Sequence, residues 1–473
     1  MAGEVETGGV ELSEGELTEL VELLRALIRI PSVNPPGDEI LAARFLEQVL
    51  IAEGLQPTVV EPFPGRGSIV CRVRGEGGGG DPLLLLSHLD VVPAEPAGWT
   101  HDPFGGELVD GYVWGRGALD MKSMVAMEVQ VLRRLARAAR TAGRDPAADP
   151  IPGLRRDVIF CSTADEEAGG WQGANWLVNE HPDWLRAAGA LNEAGGFALA
   201  YAGVPFYPIQ VAEKGFVVYK LHVSGRWGHG SVPSPDNAAV LAAQIVTRLS
   251  EPGPMRLTEA MGVSVARAIP HLTARAAAAL QTLVAERRAP EPGVFEAAVR
   301  ELCDPVLART ISAITHDTVS VGIVRAGVKY NVIPGLAEIE IDCRTLPDTD
   351  EPAMRAELQR RIGEELWARI EVECEQVGPS VQAPLDGPLY PLLEQVLRDH
   401  DPQAVPLPFL APFATDAKHL ARIGVPTYGF SPLRLGKDEG LLNLMHGDDE
   451  RVSLEALRFG LPVLWDAVSR FCA

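Results

Sequence analysis

Seven residues of this chain stand where chemistry can be done: His88, Asp90, Asp120, Glu166, Glu167, Glu193 and His446. They are far apart in sequence, each at an element end, and His88, Glu166, Glu167 and Glu193 follow apolar strand-like runs. LLLLSHLD places His88 and Asp90 after four leucines, too few for a membrane span but suited to a strand buried on both faces. Side chains alternate along a strand, so this imidazole and this carboxylate point the same way. Histidine and carboxylate ligands without thiolates suit a catalytic zinc, manganese or cobalt site better than a structural zinc. Two metals sharing a bridging carboxylate need about five protein ligands, and a carboxylate outside that set remains to act as a base.

The elements that must position these residues alternate between strand and helix. Ser13 and Glu16 form a capping-box pattern ahead of LTELVELLRALIRI, and a second helix is expected from Glu39 to Glu53. PTVVEPF, SIVCRVRG, DVIFCSTADEE and ALNE read as strands or strand ends, with SMVAMEVQVLRRLARAAR a strong amphipathic helix after Asp120. Alternation of this kind predicts an α/β layered domain, whose chemistry gathers beyond the carboxyl ends of the strands. GEGGGG at 75–80 lacks the Lys and Ser/Thr of a phosphate loop and is read as a turn. From Lys214 the rhythm changes to β-α-β-β-α-β, an α+β sandwich on a four-stranded antiparallel sheet. An Ala- and Arg-rich helical insertion interrupts it at about 252–316. The expected division is 1–213 and 379–473 for the two parts of one domain and 214–378 for the inserted one. FATDAKHLARIG is read as a helix behind a loop.

Composition narrows the partners. Lys and Arg total 42 against 64 Asp and Glu, a net charge of -22, so nucleic acid and anionic membranes are disfavoured. MAGEVETGGVELSEGEL has neither the basic nor the apolar region of a secretory signal, and no apolar run reaches the ~18 residues of a membrane span. A cytoplasmic location is the expectation. Six cysteines without CxxC spacing suggest neither a disulfide framework nor a thiolate zinc site.

Eight segments in order resemble a known family: SHLDVVP (87–93), GRGALDMK (115–122), ADEEAGG (164–170), NEAGG (192–196), GRWGHGS (225–231), KYNVIPG (329–335), DCRTLPD (342–348) and HGDDERV (446–452). The family is that of the co-catalytic zinc amidohydrolases and peptidases, which includes aminoacylase, glutamate carboxypeptidase, succinyl-diaminopimelate desuccinylase and carboxypeptidase S. The resemblance implies a zinc-peptidase-type three-layer α/β catalytic domain with an inserted lid and dimerisation domain, and hence a homodimer through that lid. It implies that His88 and Glu193 hold one metal, that Glu167 and His446 hold the other, and that Asp120 bridges both. Glu166 becomes the general base, drawing a proton from metal-bound water, and Asp90 orients His88. By the same resemblance His229 stabilises the oxyanion, Asn331 and Arg344 bind the substrate carboxylate, and Thr415 lines the pocket. The implied cofactors are two divalent metals, zinc first, with cobalt or manganese as alternatives. The implied substrates are N-acyl amino acids or short peptides, cleaved at an amide next to a free carboxylate. Glu193 in the fifth ligand position resembles aminoacylase and carboxypeptidase S, and the insertion resembles the carboxypeptidase S branch.

Blander readings compete with these. Asp120 and Glu193 could be capping or surface carboxylates, His446 a cap, and Arg344 the partner of an acidic neighbour. A non-catalytic amino-acid or peptide binder of the same fold is the alternative function. Ser231 beside His229 prompts a serine-hydrolase reading, but there is no GxSxG elbow.

Overall fold

The computed structural model describes residues 12–201, 203–286, 297, 299, 300, 305–436 and 444–473. Cys303, the first eleven residues and part of the expected helical insertion lie outside them. The chain divides into two units. The first comprises residues 1–211, 383–409 and 415–473, and the second comprises 212–382 and 410–414.

The first unit is built on a mixed sheet. Its strands run in the order Thr58–Phe63, Arg66–Val73, Val158–Thr163, Leu83–His88, Gly189–Asn192, Thr427–Gly429 and Val204–Glu213. The four central strands, Val158–Thr163 to Thr427–Gly429, are parallel to one another, and their immediate neighbours Arg66–Val73 and Val204–Glu213 are antiparallel to them. Parallel strands are covered on both faces, which is why the four leucines at 83–86 are all fully buried. Each such leucine contributes about 1.5–3 kcal/mol by leaving water. Alternation sends Leu84 and Leu86 to one face, where they pack with Leu177, Val178, Leu185 and Leu420. Ser87, pointing the opposite way, meets Glu128 on the long helix Lys122–Thr141. That helix packs with Glu14–Ile28 and Leu454–Cys472. The capping box at Ser13 and Glu16 forms as expected and starts the first of these helices.

The second unit carries a four-stranded antiparallel sheet in the order Thr318–Ala326, Leu336–Thr345, Gly215–Ser224, Ile370–Gly378. Gly215–Ser224 buries every second residue, and Val217, Tyr219, Leu221 and Val223 pack against the helices Ala238–Ser250 and Glu351–Ile362. The intervening segment adds the helices Glu259–Ala268, Ala274–Glu286 and Pro305–Ala313. They share a small separate core around Leu280 and Ala308.

FATDAKHLARIG takes its expected form of a helix behind a loop, and the helix is short. Only Ala417–Leu420 is α-helical, followed by a single 3-10 turn. Thr415 and Asp416 turn inward to bond Asn192 and Thr163, and Gly424 stops the turn at a φ of 74°.

Candidate metal centre

The carboxyl ends of the parallel strands gather the polar residues. Leu83–His88 delivers His88 and, two residues on, Asp90; Val158–Thr163 leads into Asp165–Glu167; Gly189–Asn192 ends one residue before Glu193. Asp120 comes from the turn preceding the long helix and His446 from the loop preceding the last one.

Two groups of side chains have the spacing to hold an ion: His88, Asp120 and Glu193, and Asp120, Glu167 and His446, with the potential ligand atoms of each within 4.8 Å of one another. Asp120 belongs to both. Its Oδ1 lies 3.1 Å from His88 Nε2 and its Oδ2 3.2 Å from His446 Nε2. Glu193 Oε2 is 3.7 Å from His88 Nε2, and Glu167 Oε2 is 3.3 Å from His446 Nε2.

The other ring nitrogen of His88 faces Asp90, with Nδ1 3.0 Å from the Asp90 carbonyl and 3.4 Å from its carboxylate. Donation from Nδ1 leaves the Nε2 lone pair for a cation. The fully buried Asp90 carboxylate accepts further bonds from the backbone N–H of Glu166 (3.1 Å) and Glu167 (3.0 Å) and from Asn34 Nδ2 (2.8 Å). One side chain thus fixes both the imidazole and the acidic loop. Behind it Arg66 reaches Asn34 Oδ1 at 2.9 Å, Glu39 at 2.6 Å and Asp165 at 3.3 Å. Asp165 sits at a φ of 71°, so the loop turns sharply just before the two glutamates.

Electrostatics show what is missing for balance. Burial disfavours charge on His88, but Asp120, Asp90 and Glu193 outweigh it and hold the ring well above the usual imidazole range. Hydrogen bonding to Asp120 and Glu167 draws His446 up to about 10. Burial pushes Glu193 up to about 7 and raises Glu166 well above the carboxylate range, with the charge of Glu193 adding to the latter. Asp120 is lowered: burial works against ionisation, and the hydrogen bonds from both histidines overcome it. Among the described residues no Lys or Arg forms an ion pair with Asp120, Glu167 or Glu193, and Glu167 Oε1 is buried without a partner. Three carboxylates crowded into low dielectric with only two imidazoles suit divalent cations, so the residues fit the metals.

The remaining expected residues are placed differently. Thr415 is buried and its hydroxyl accepts from Asn192 Nδ2 at 3.0 Å. His229, Asn331 and Arg344 are carried by the second unit. His229 is exposed on a two-stranded ribbon, 2.7 Å from Ser231 Oγ. No carboxylate bonds its ring among the described residues, which leaves the serine-hydrolase reading without its third member. Asn331 Oδ1 is buried and unpartnered, while Arg344 pairs with Asp342 at 2.9 Å and lies over the Phe216 ring.

Sequence reasoning passed over Asn34, Glu39, Arg66, Arg116 and Glu450. The signal available for Glu450 was its place in HGDDERV, four residues after His446.

Carboxylates and imidazoles assembled at the ends of parallel strands in an α/β unit make this a metallohydrolase. The chain belongs to peptidase family M20/M25/M40, whose sequence model matches residues 84–470. An N-fatty-acyl-amino acid synthase/hydrolase of Xenopus tropicalis is 28% identical over 468 residues, covering 94% of this chain and 85% of that protein. Human aminoacylase-1 is 28% identical over 441 residues, covering 91% of this chain and 90% of the relative. Among solved structures, an M20 family metallo-carboxypeptidase of Sulfolobus solfataricus superposes with a TM-score of 0.68 at 15% identity, covering 97% of this chain and 99% of that one. A dinuclear metal binding peptidase of Bacillus subtilis gives 0.60 at 15% identity, covering 97% and 99%. Among the described residues no helix is long and apolar enough to cross a membrane.

Proposed function

We propose that the chain hydrolyses an amide bond next to a free carboxylate, with N-acyl amino acids or short peptides as the substrate class. The observation that carries this is Asp120, whose two oxygens face His88 on one side and His446 on the other. In this reading His88 and Glu193 hold one divalent ion, Glu167 and His446 the other, and Asp120 both, with zinc the first candidate. The ions supply Lewis acidity toward the amide carbonyl and toward water. Glu166, its carboxyl raised by burial, takes the proton from the attacking water and passes it to the departing amine nitrogen. Asp90 keeps His88 in one tautomer and, through the N–H groups of Glu166 and Glu167, aims base and ligand together. To the second unit we assign His229 for the oxyanion and Asn331 and Arg344 for the substrate carboxylate. The edge strand Thr318–Ala326, with Ile323 and Val324 exposed, is the surface for pairing two copies of the chain. Thr415 is assigned to the lining of the site, and the location assigned is the cytoplasm.

Removal of metal by a chelator is expected to abolish hydrolysis of a panel of N-acyl amino acids and dipeptides, and zinc, cobalt or manganese to restore it. Glu166→Gln should retain its metal content and lose about 10²–10⁴-fold in kcat. Full activity in metal-free protein, or in the Gln variant, overturns the assignment.

A further inference from the structure

The geometry points to Glu450 as a positioning residue that clamps the backbone carrying Asp120 to the loop carrying His446, so that one buried carboxylate sets the geometry of both ion-binding groups. The inference rests on the metal-binding reading above. Glu450 is fully buried, and both of its oxygens are used. Oε1 accepts from the backbone N–H of Leu119 at 2.7 Å and of Asp120 itself at 3.0 Å. Oε2 accepts from the backbone N–H of Gly117 at 2.9 Å and from Arg116 Nη1 at 2.7 Å. A fifth bond runs from the Gly115 N–H to the Glu450 carbonyl at 2.9 Å.

Only a carboxylate of this length answers that arrangement. Each oxygen takes two donors, so an amide in its place would aim N–H at N–H on one side, and an aspartate is one methylene too short to reach both pairs. The clamped loop has little room to move elsewhere: Gly117 holds a φ of 86°, and a Cβ there would lie 2.8 Å from Val91. With its own N–H held, Asp120 has less freedom in where its two oxygens lie. The same clamp acts on His446, because Glu450 follows it by four residues, and the loop is held again at Asp449, whose carboxylate accepts from Thr100 N–H and hydroxyl at 2.7 and 2.8 Å. Glu450 touches no expected ligand side chain in the hydrogen bonds described, so it acts through the backbone.

The test is metal retention, read apart from turnover. Wild type, Glu450→Gln and Arg116→Gln are dialysed against graded zinc and cobalt, with metal content, the visible spectrum of the cobalt form and the melting temperature of the metal-free protein recorded. Glu450→Gln is expected to weaken retention of both ions by about 10–100-fold and to alter the cobalt spectrum. Arg116→Gln, which removes one donor and leaves the three amide bonds, should weaken retention by less than about tenfold, the low end of such effects. A folded Glu450→Gln protein that binds both ions like wild type, losing only melting temperature, overturns the clamp and makes Glu450 a structural residue. Should that variant not fold, Arg116→Gln decides: weakened retention at an unchanged metal-free melting temperature supports the clamp, and unchanged retention overturns it. Wild-type protein that retains no divalent ion overturns the metal reading first and the clamp with it.

Discussion

Asp120 is the residue on which the two candidate ion-binding groups meet, and its substitution should therefore behave unlike that of its neighbours. Glu193→Ala and His446→Ala each remove a potential ligand from one group, whereas Asp120→Ala removes one from both. Dialysed protein is expected to keep about one ion in the first two variants and none in the third, measured as metal per chain; an Asp120→Ala protein that keeps both ions contradicts a shared carboxylate. His88, Glu167 and Glu193 were legible in the sequence because each follows an apolar strand-like run, whereas Asp120 and His446 stood out through the segments GRGALDMK and HGDDERV. Glu450, Glu39, Arg66 and Asn34 were not. Their partners are backbone N–H groups or one another across long sequence separations, and a glutamate that accepts from main-chain amides reads in a sequence like any surface glutamate.

At the scale of elements, the helix Lys122–Thr141 is buried on nearly every side through its first ten residues, and it carries Glu128 into the core. The only hydrogen bond described for Glu128 comes from Ser87 Oγ at 2.6 Å, and burial pushes its carboxyl from an ordinary 4.5 up to about 8. Between those values the folded chain binds a proton that the unfolded chain has released, so stability is fully present below about pH 4.5 and falls as pH rises toward 8. Glu128→Gln keeps the shape and cannot ionise. Its melting temperature relative to wild type is expected to rise between pH 5 and pH 8 by on the order of 5 °C, followed by calorimetry; a difference that does not vary with pH would refute the buried neutral acid. The strand LLLLSH announced its double burial through its leucines, but nothing in the sequence gives the strand order, since Thr427–Gly429 pairs beside Gly189–Asn192 only through tertiary packing. The same packing holds Thr415 and Asp416 in the loop ahead of the short helix Ala417–Leu420, through bonds to Asn192 and Thr163.

The molecule as a whole interleaves its two units along the chain, yet the core of the second is self-contained. Every residue of its main apolar cluster lies between Val217 and Val372. A fragment spanning 212–382 should thus unfold cooperatively in urea with a sigmoidal circular dichroism transition, and a featureless, linear response would show that it depends on the first unit. The first unit has no such independence in time. Its Gly189–Asn192 strand pairs on one side with Leu83–Leu85 and on the other with Thr427–Gly429, a partner 235 residues later (427 minus 192). At about 5–20 residues per second, a ribosome needs roughly 12 to 47 s to supply it. For that interval the growing sheet carries an open, apolar, parallel edge, and the acidic loop beside it waits for His446, so the emerging polypeptide is at its most aggregation-prone while its second unit is being made.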